Sequence, residues 1–144
     1  MNIVVDTNIV FSTFLNPHST IGELLMNVKD DINFYAPELL KSELQRYETK
    51  IATYSRLSQQ ALQEIESTVF TIINFIPEER ISEKSWIKAY ELTANIDEDD
   101  TPFVALTIEL NAMLWSGDKI LMKGLINRGN DMIITTAQLK KILH

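Results

Sequence analysis

An α/β fold, with a central and mainly parallel sheet between two layers of helices, is what this chain of 144 residues predicts. Three observations carry that expectation. Short apolar segments alternate with amphipathic ones along the chain, joined by brief connections, as in crossover-linked parallel strands. The strand candidates are apolar throughout, as strands covered on both faces are. Acids recur where a strand gives way to the next helix, the edge at which open α/β sheets place their chemistry.

Taken in order, residues 2–5 form a short buried strand that ends at Asp6, and residues 7–15 a helix stopped by Asn16-Pro17. A second helix starts at Ser19 or Thr20 and runs to about residue 29, and residues 32–35 make a brief strand. Pro37, at home in a first helical turn, opens one long helix whose Leu40, Leu44, Tyr47, Ile51 and Tyr54 form a stripe at helical spacing. Ser58 caps a helix reaching about residue 71, and residues 72–76 form a strand closed by Pro77. Ser82 caps an amphipathic helix over 82–94. The acidic turn Asp97-Glu98-Asp99-Asp100 then leads past Pro102 into a very apolar helix, 103–110. Residues 113–115 are a fully apolar strand, from which Ser116-Gly117-Asp118 turns into a helix over 119–127. A last strand, 132–135, and a last helix, 137–143, complete the series. No repeat, low-complexity tract or Gly/Pro/Ser-rich linker interrupts it, so a single domain over 1–144 is the simplest organisation.

Composition narrows the function. At 45% hydrophobic and 23% charged residues the chain resembles an ordinary globular protein with a sizeable core. Cysteine is absent, which excludes disulfides and zinc–thiolate sites and fits a reducing, cytoplasmic setting. No apolar run approaches the ~18–20 residues of a membrane span, and the opening MNIVVDTN lacks the basic flank and cleavage site of a signal peptide. His18 and His144 are isolated and expected at the surface, so Ser/His/Asp and Cys/His catalysis lose support. With four glycines and no G-x-G-x-x-G or Walker pattern, a nucleotide-cradling loop is not expected.

The net charge of −7 argues, taken alone, against a nucleic-acid partner. The charge is uneven, however. From Lys119 onward five basic residues face a single acid, whereas the first 118 residues carry −11. Divalent cations bound among converging carboxylates would neutralise part of that excess.

Four acids are the candidates. Asp6 follows Val4-Val5 at a strand mouth, where a carboxylate is partly desolvated and needs a partner or a metal; the plainer alternative is a turn residue. Thr7 and Asn8 behind it can supply supporting hydrogen bonds, or Asn8 simply a turn. Asp100 stands before Thr101-Pro102 as a ready helix N-cap, and a cap and a ligand are compatible roles for its two oxygens; Asp97 and Asp99 leave open which acid of the run serves. Asp118 is also a cap candidate, but it emerges from the 113–115 strand at the same edge as Asp6, with Ser116 placed to orient an acid or a water. At about 100° per residue, Glu43 falls roughly 60° from the centre of its helix stripe, at the margin of the core-facing side; the alternative is a salt bridge to Arg46 or Lys50. Carboxylates gathered without thiol or imidazole suit Mg²⁺ or Mn²⁺. At a phosphodiester such an ion can activate water and stabilise the leaving oxygen. Arg46, Lys50, Lys119 and Lys123 are near these acids in sequence and are candidates for holding substrate phosphates.

These motifs resemble those of PIN-domain proteins, many of them VapC-like ribonuclease toxins of toxin–antitoxin pairs. IVVDTNIVFS resembles the family's N-terminus; PELLKSELQRY its second motif, with Glu43; DDTPFVALTIEL its third, with Asp100; and WSGDKIL its fourth, with Ser116 and Asp118. The series is in order over the whole chain. Serine replaces the frequent threonine before the last acid, and Pro102 follows the third acid closely. The resemblance implies a three-layer α/β/α sandwich and Mg²⁺- or Mn²⁺-dependent RNA cleavage by Asp6, Glu43, Asp100 and Asp118. It also implies a homodimer and a small antitoxin protein as partner. Two other readings compete: a non-catalytic PIN-like RNA- or protein-binding module, and an aspartyl phosphatase using Asp6. The latter normally needs a second aspartate two residues on, where this chain has Asn8.

Overall fold

The computed structural model describes residues 1–143; His144 lies outside them. The elements are β1 (Asn2–Val5), α1 (Thr7–Leu15), α2 (Thr20–Met26), β2 (Asn33–Pro37), α3 (Leu39–Arg46), α4 (Glu48–Tyr54), α5 (Gln59–Ile72), β3 (Ile73–Ile76), α6 (Glu83–Thr93), α7 (Thr101–Glu109), β4 (Met113–Trp115), α8 (Lys119–Asn127), β5 (Ile133–Ile134) and α9 (Thr136–Leu143). Single 3₁₀ turns lie at Glu78–Arg80 and Glu98–Asp100.

All four strand pairings are parallel, in the order β3-β2-β1-β4-β5. The helices pack in two groups: α1 against α2, α3, α4 and α5, with α9 on α2, and α6 against α7 and α8. The expected three-layer α/β/α sandwich is therefore present. The chain lays β2 and β3 on one side of β1 and then crosses to β4 and β5 on the other. That reversal opens a crevice beyond the carboxyl ends of β1 and β4. Asp6 sits at its edge, its amide donating to the Trp115 carbonyl at 3.1 Å and so extending the β1–β4 ladder by one rung.

The core explains why the central strands are apolar on both faces. Ile3, Val4, Val5, Leu114 and Trp115 are wholly buried, and each such side chain contributes about 1.5–3 kcal/mol of burial. Phe34 of β2 stacks with Trp115 of β4 at 5.7 Å between centroids, and the indole N–H donates to Thr136 Oγ1 at 3.0 Å, so the buried ring is satisfied. Ser19, Ser58 and Ser82 cap α2, α5 and α6 through their hydroxyls.

One long helix from Pro37 is not formed. Pro37 is the last residue of β2, opposite Ile76, and the Glu38 amide donates to the Ile76 carbonyl. Proline is tolerated at a strand end, where no ladder amide is required of it. The helix beyond breaks at Tyr47 (φ −101°, ψ 7°) into α3 and α4. Leu40, Leu44 and Ile51 are buried, but Tyr54 is 68% exposed, and the Tyr47 ring turns onto Phe11 of α1 at 5.1 Å. An apolar spacing can continue across a corner that a neighbouring helix imposes. Smaller differences lie at other ends: α2 stops at Met26, α7 already begins at Thr101 with Pro102 inside its first turn, and β5 has only two residues.

Candidate metal centre at the carboxyl edge of the sheet

Asp6 is 6% exposed. Burial raises its pKa, the Ser116 hydrogen bond opposes that rise, and the Asp118 charge adds to it. Ser116 is itself buried; its hydroxyl donates to Asp6 Oδ2 at 2.7 Å and accepts from the Asp118 amide at 3.0 Å. One serine thus sets the spacing between the ends of β1 and β4.

Glu43, on the half-buried flank of α3, accepts from Thr7 Oγ1 at 2.7 Å. Desolvation raises its pKa, the Thr7 bond lowers it, and Asp6 raises it further. Thr7 is the first residue of α1, so the strand that delivers Asp6 also delivers the donor that holds Glu43. Asn8 is exposed beside them.

Asp118 caps α8 through Oδ1, which accepts from Ile120 N and Leu121 N, both at 3.0 Å. Asp100 does not cap α7 with its side chain. The preceding 3₁₀ turn already places its backbone in the right-handed helical region (φ −83°, ψ −8°), and no cap bond forms. Its Oδ2 is buried without any hydrogen-bond partner. Desolvation, then the charges of Asp6, Asp97, Asp118 and Glu43, push the Asp100 pKa up to about 8. All the predicted acids therefore act on this one group. A buried carboxylate oxygen lacking a donor, ringed by other carboxylates, is tolerable when protonated or when a cation is present. An all-oxygen donor set of this kind fits Mg²⁺ or Mn²⁺.

Asp97 joins them. One oxygen from each of Asp97, Asp100 and Asp118 lies within 4.8 Å of the other two. Asp97 is the N-cap of the 3₁₀ turn, and a turn of three residues eclipses positions i and i+3, which sets it beside Asp100. The Asp-x-x-Asp spacing ahead of a helix was the available signal. Asp6, Thr7, Asn8, Glu43, Arg46, Asp99 and Asp100 share a cleft of about 370 Å³. Asp100 belongs to both groupings. A larger groove, of about 750 Å³, opens between α3–α4 and α5 over Phe14, Leu44, Ile51 and Phe70, and none of the four predicted acids lines it.

Of the four cations singled out in the sequence, Arg46 reaches the cleft wall, where its charge acts on Glu43. Lys50, Lys119 and Lys123 are exposed and do not line the cleft. His18 is exposed, 3.5 Å from Glu23. No described helix is long and apolar enough to cross a membrane.

A family model for the PIN domain matches residues 4–139. Among solved structures, the chain is similar to one in the crystal structure of VapBC2 from Rickettsia felis bound to a DNA fragment from their promoter. The identity is 19%, the TM-score 0.63, and the match covers 94% of this chain and 97% of that one. No curated protein matches.

Proposed function

Because the chain belongs to the PIN-domain family, we propose that it is a Mg²⁺- or Mn²⁺-dependent endoribonuclease, acting as one domain and serving as the toxin of a toxin–antitoxin pair. The observation that carries the catalytic reading is the partnerless buried oxygen of Asp100, on which the charges of Asp6, Glu43, Asp97 and Asp118 all converge. The toxin reading is supported by the fold likeness to a chain of the VapBC2 complex. It brings with it a small antitoxin protein, a homodimer and a cytoplasmic setting.

Asp6, Glu43, Asp100 and Asp118 hold the cation in this scheme. A bound divalent ion supplies Lewis acidity at the scissile phosphate and a lowered pKa for water. Ser116 keeps Asp6 aimed by bonding one of its oxygens, and Thr7 does the same for Glu43. Arg46 offers the cleft wall a positive charge for an adjacent phosphate, while Lys50, Lys119 and Lys123 supply outlying ones. In the overall reaction water adds to phosphorus and the 3′ oxygen leaves in line, with no protein nucleophile.

The test is incubation of the pure protein with varied RNAs, with Mn²⁺ or Mg²⁺ and with chelator. Metal-stimulated cleavage is expected, lost on chelation and abolished in Asp6→Asn, which keeps an oxygen for Ser116. Unchanged cleavage by a folded Asp6→Asn protein would sink the scheme. Binding of RNA without metal-stimulated cleavage would identify a non-catalytic module instead.

A further inference from the structure

We propose that Asp97 is a fifth carboxylate ligand of the cation site, sharing an ion with Asp100 and Asp118; this rests on the metal-binding reading of the site. The three acids form the one group of potential metal ligands with oxygens so close together among the described residues. Their oxygens are also divided in a way that favours an ion. In Asp97, Oδ1 accepts from the Asp99 amide at 3.0 Å; in Asp118, Oδ1 takes both helix amides. Each side chain is thereby fixed by one oxygen, leaving Oδ2 for another partner. Asp100 Oδ2 has no partner at all. None of the three is in a salt bridge among the described residues.

Exposed like-charged side chains normally swing apart, yet the segment bearing Asp97 is clamped where it is. Arg128, at the end of α8, donates to the carbonyls of Glu91 and Leu92 through Nη1 at 3.0 and 2.9 Å, and to that of Ala94 through Nη2 at 2.6 Å. Those carbonyls end α6. Asn95 then takes a left-handed conformation (φ 63°), which Asn tolerates better than most residues. Ile96 next settles against Gly124 of α8, so closely that a Cβ there would stand 2.4 Å from Ile96 Cδ1. The Thr93 and Thr101 hydroxyls, 2.7 Å apart, tie the start of α7 to the same segment. Asp97 follows directly, held against α8, which Asp118 begins. The clamp accounts for the approach of Asp97 to Asp118, and the 3₁₀ turn for its approach to Asp100.

Asp97→Asn separates ligation from structure, because asparagine keeps the bond to the Asp99 amide while losing the charge. Glu98→Gln, at an exposed acid of the same turn that does not line the cleft, is the control for charge alone. Mn²⁺ binding to the full chain is measured by titration calorimetry for the wild type, Asp97→Asn, Glu98→Gln and Asp100→Asn, with folding checked by circular dichroism. Asp97→Asn is expected to weaken binding on the order of 10-fold or more, at least the loss seen for an outer-shell partner, with Glu98→Gln within about 2-fold of wild type. Equal behaviour of Asp97→Asn and Glu98→Gln, with Asp100→Asn impaired, would overturn this proposal and leave the metal site standing. A wild type that binds no Mn²⁺, or an unaffected Asp100→Asn, would remove the site itself and Asp97 with it.

Discussion

Ser116 joins two acids from opposite ends of the chain: its hydroxyl donates to Asp6, 110 residues away, at 2.7 Å while its oxygen accepts the Asp118 amide at 3.0 Å. This link is buried, so no water can replace it without rearrangement. It makes the separation of two candidate ligands a property of one small side chain.

Ser116→Ala is expected to destabilise the protein by roughly 1–3 kcal/mol, the usual cost of leaving a buried acceptor unmade. Urea denaturation at neutral pH measures it. The same variant should weaken Mn²⁺ binding, since Asp6 loses the hydrogen bond that favours its charged form. Stability equal to wild type would show that Asp6 finds another donor.

The pH dependence has a definite sign. Asp100 titrates near 8 in the folded chain against an ordinary value of 3.8. Between those values the unfolded chain has released the proton and the folded one retains it, so metal-free stability falls as pH rises through that window and levels off above it. The raised pKa values of Asp6 and Glu43 act in the same direction. Thermal midpoints of chelator-treated protein should therefore be higher at pH 5 than at pH 8. Mn²⁺ should recover more at pH 8, and Asp100→Asn should flatten the metal-free profile. A metal-free midpoint that rises over this range would contradict the crowded-carboxylate geometry.

Arg128 lies at the far end of α8 from the acids, yet it binds the carbonyls just before Asp97. Arg128→Ala should cost roughly 1–2 kcal/mol in urea denaturation, since three hydrogen bonds from a charged donor are lost at a partly exposed site. It should also weaken Mn²⁺ binding although no carboxylate has changed. Gly124→Ala should act similarly by displacing Ile96, because overpacking typically costs about 1–3 kcal/mol, partly offset by the better helix propensity of alanine, about 1 kcal/mol. Lost stability with an unaltered Mn²⁺ affinity would make the clamp purely structural.

Much of the architecture can be read from local signals. The apolar runs at Ile3–Val5 and Leu114–Trp115 have no polar face to show solvent, and Ser58 and Ser82 mark helix starts by satisfying amides only a few residues away. Such features depend on neighbours in sequence, so the order and type of elements follow from the chain directly. The corner at Tyr47 does not: there the ring packs on Phe11, a partner 36 residues away that no local pattern announces. Nor does the separation of Arg46, on the cleft wall, from Lys119 and Lys123, which also follow a candidate acid closely in sequence.

The amino-acid sequence by itself determined the alternation of strand and helix, the α/β class, the PIN-domain kinship and the presence of acids at strand ends, since each rests on short-range pattern. Tertiary structure alone decided that the Asp100 side chain makes no cap bond and buries an oxygen without a donor, and that Asp97 rather than Asp99 stands beside Asp118. The reason is physical: the distance between carboxylates is set by the parallel β1–β4 register and the packing of α6 on α8. Those contacts link residues far apart in the chain, and no local pattern encodes their geometry.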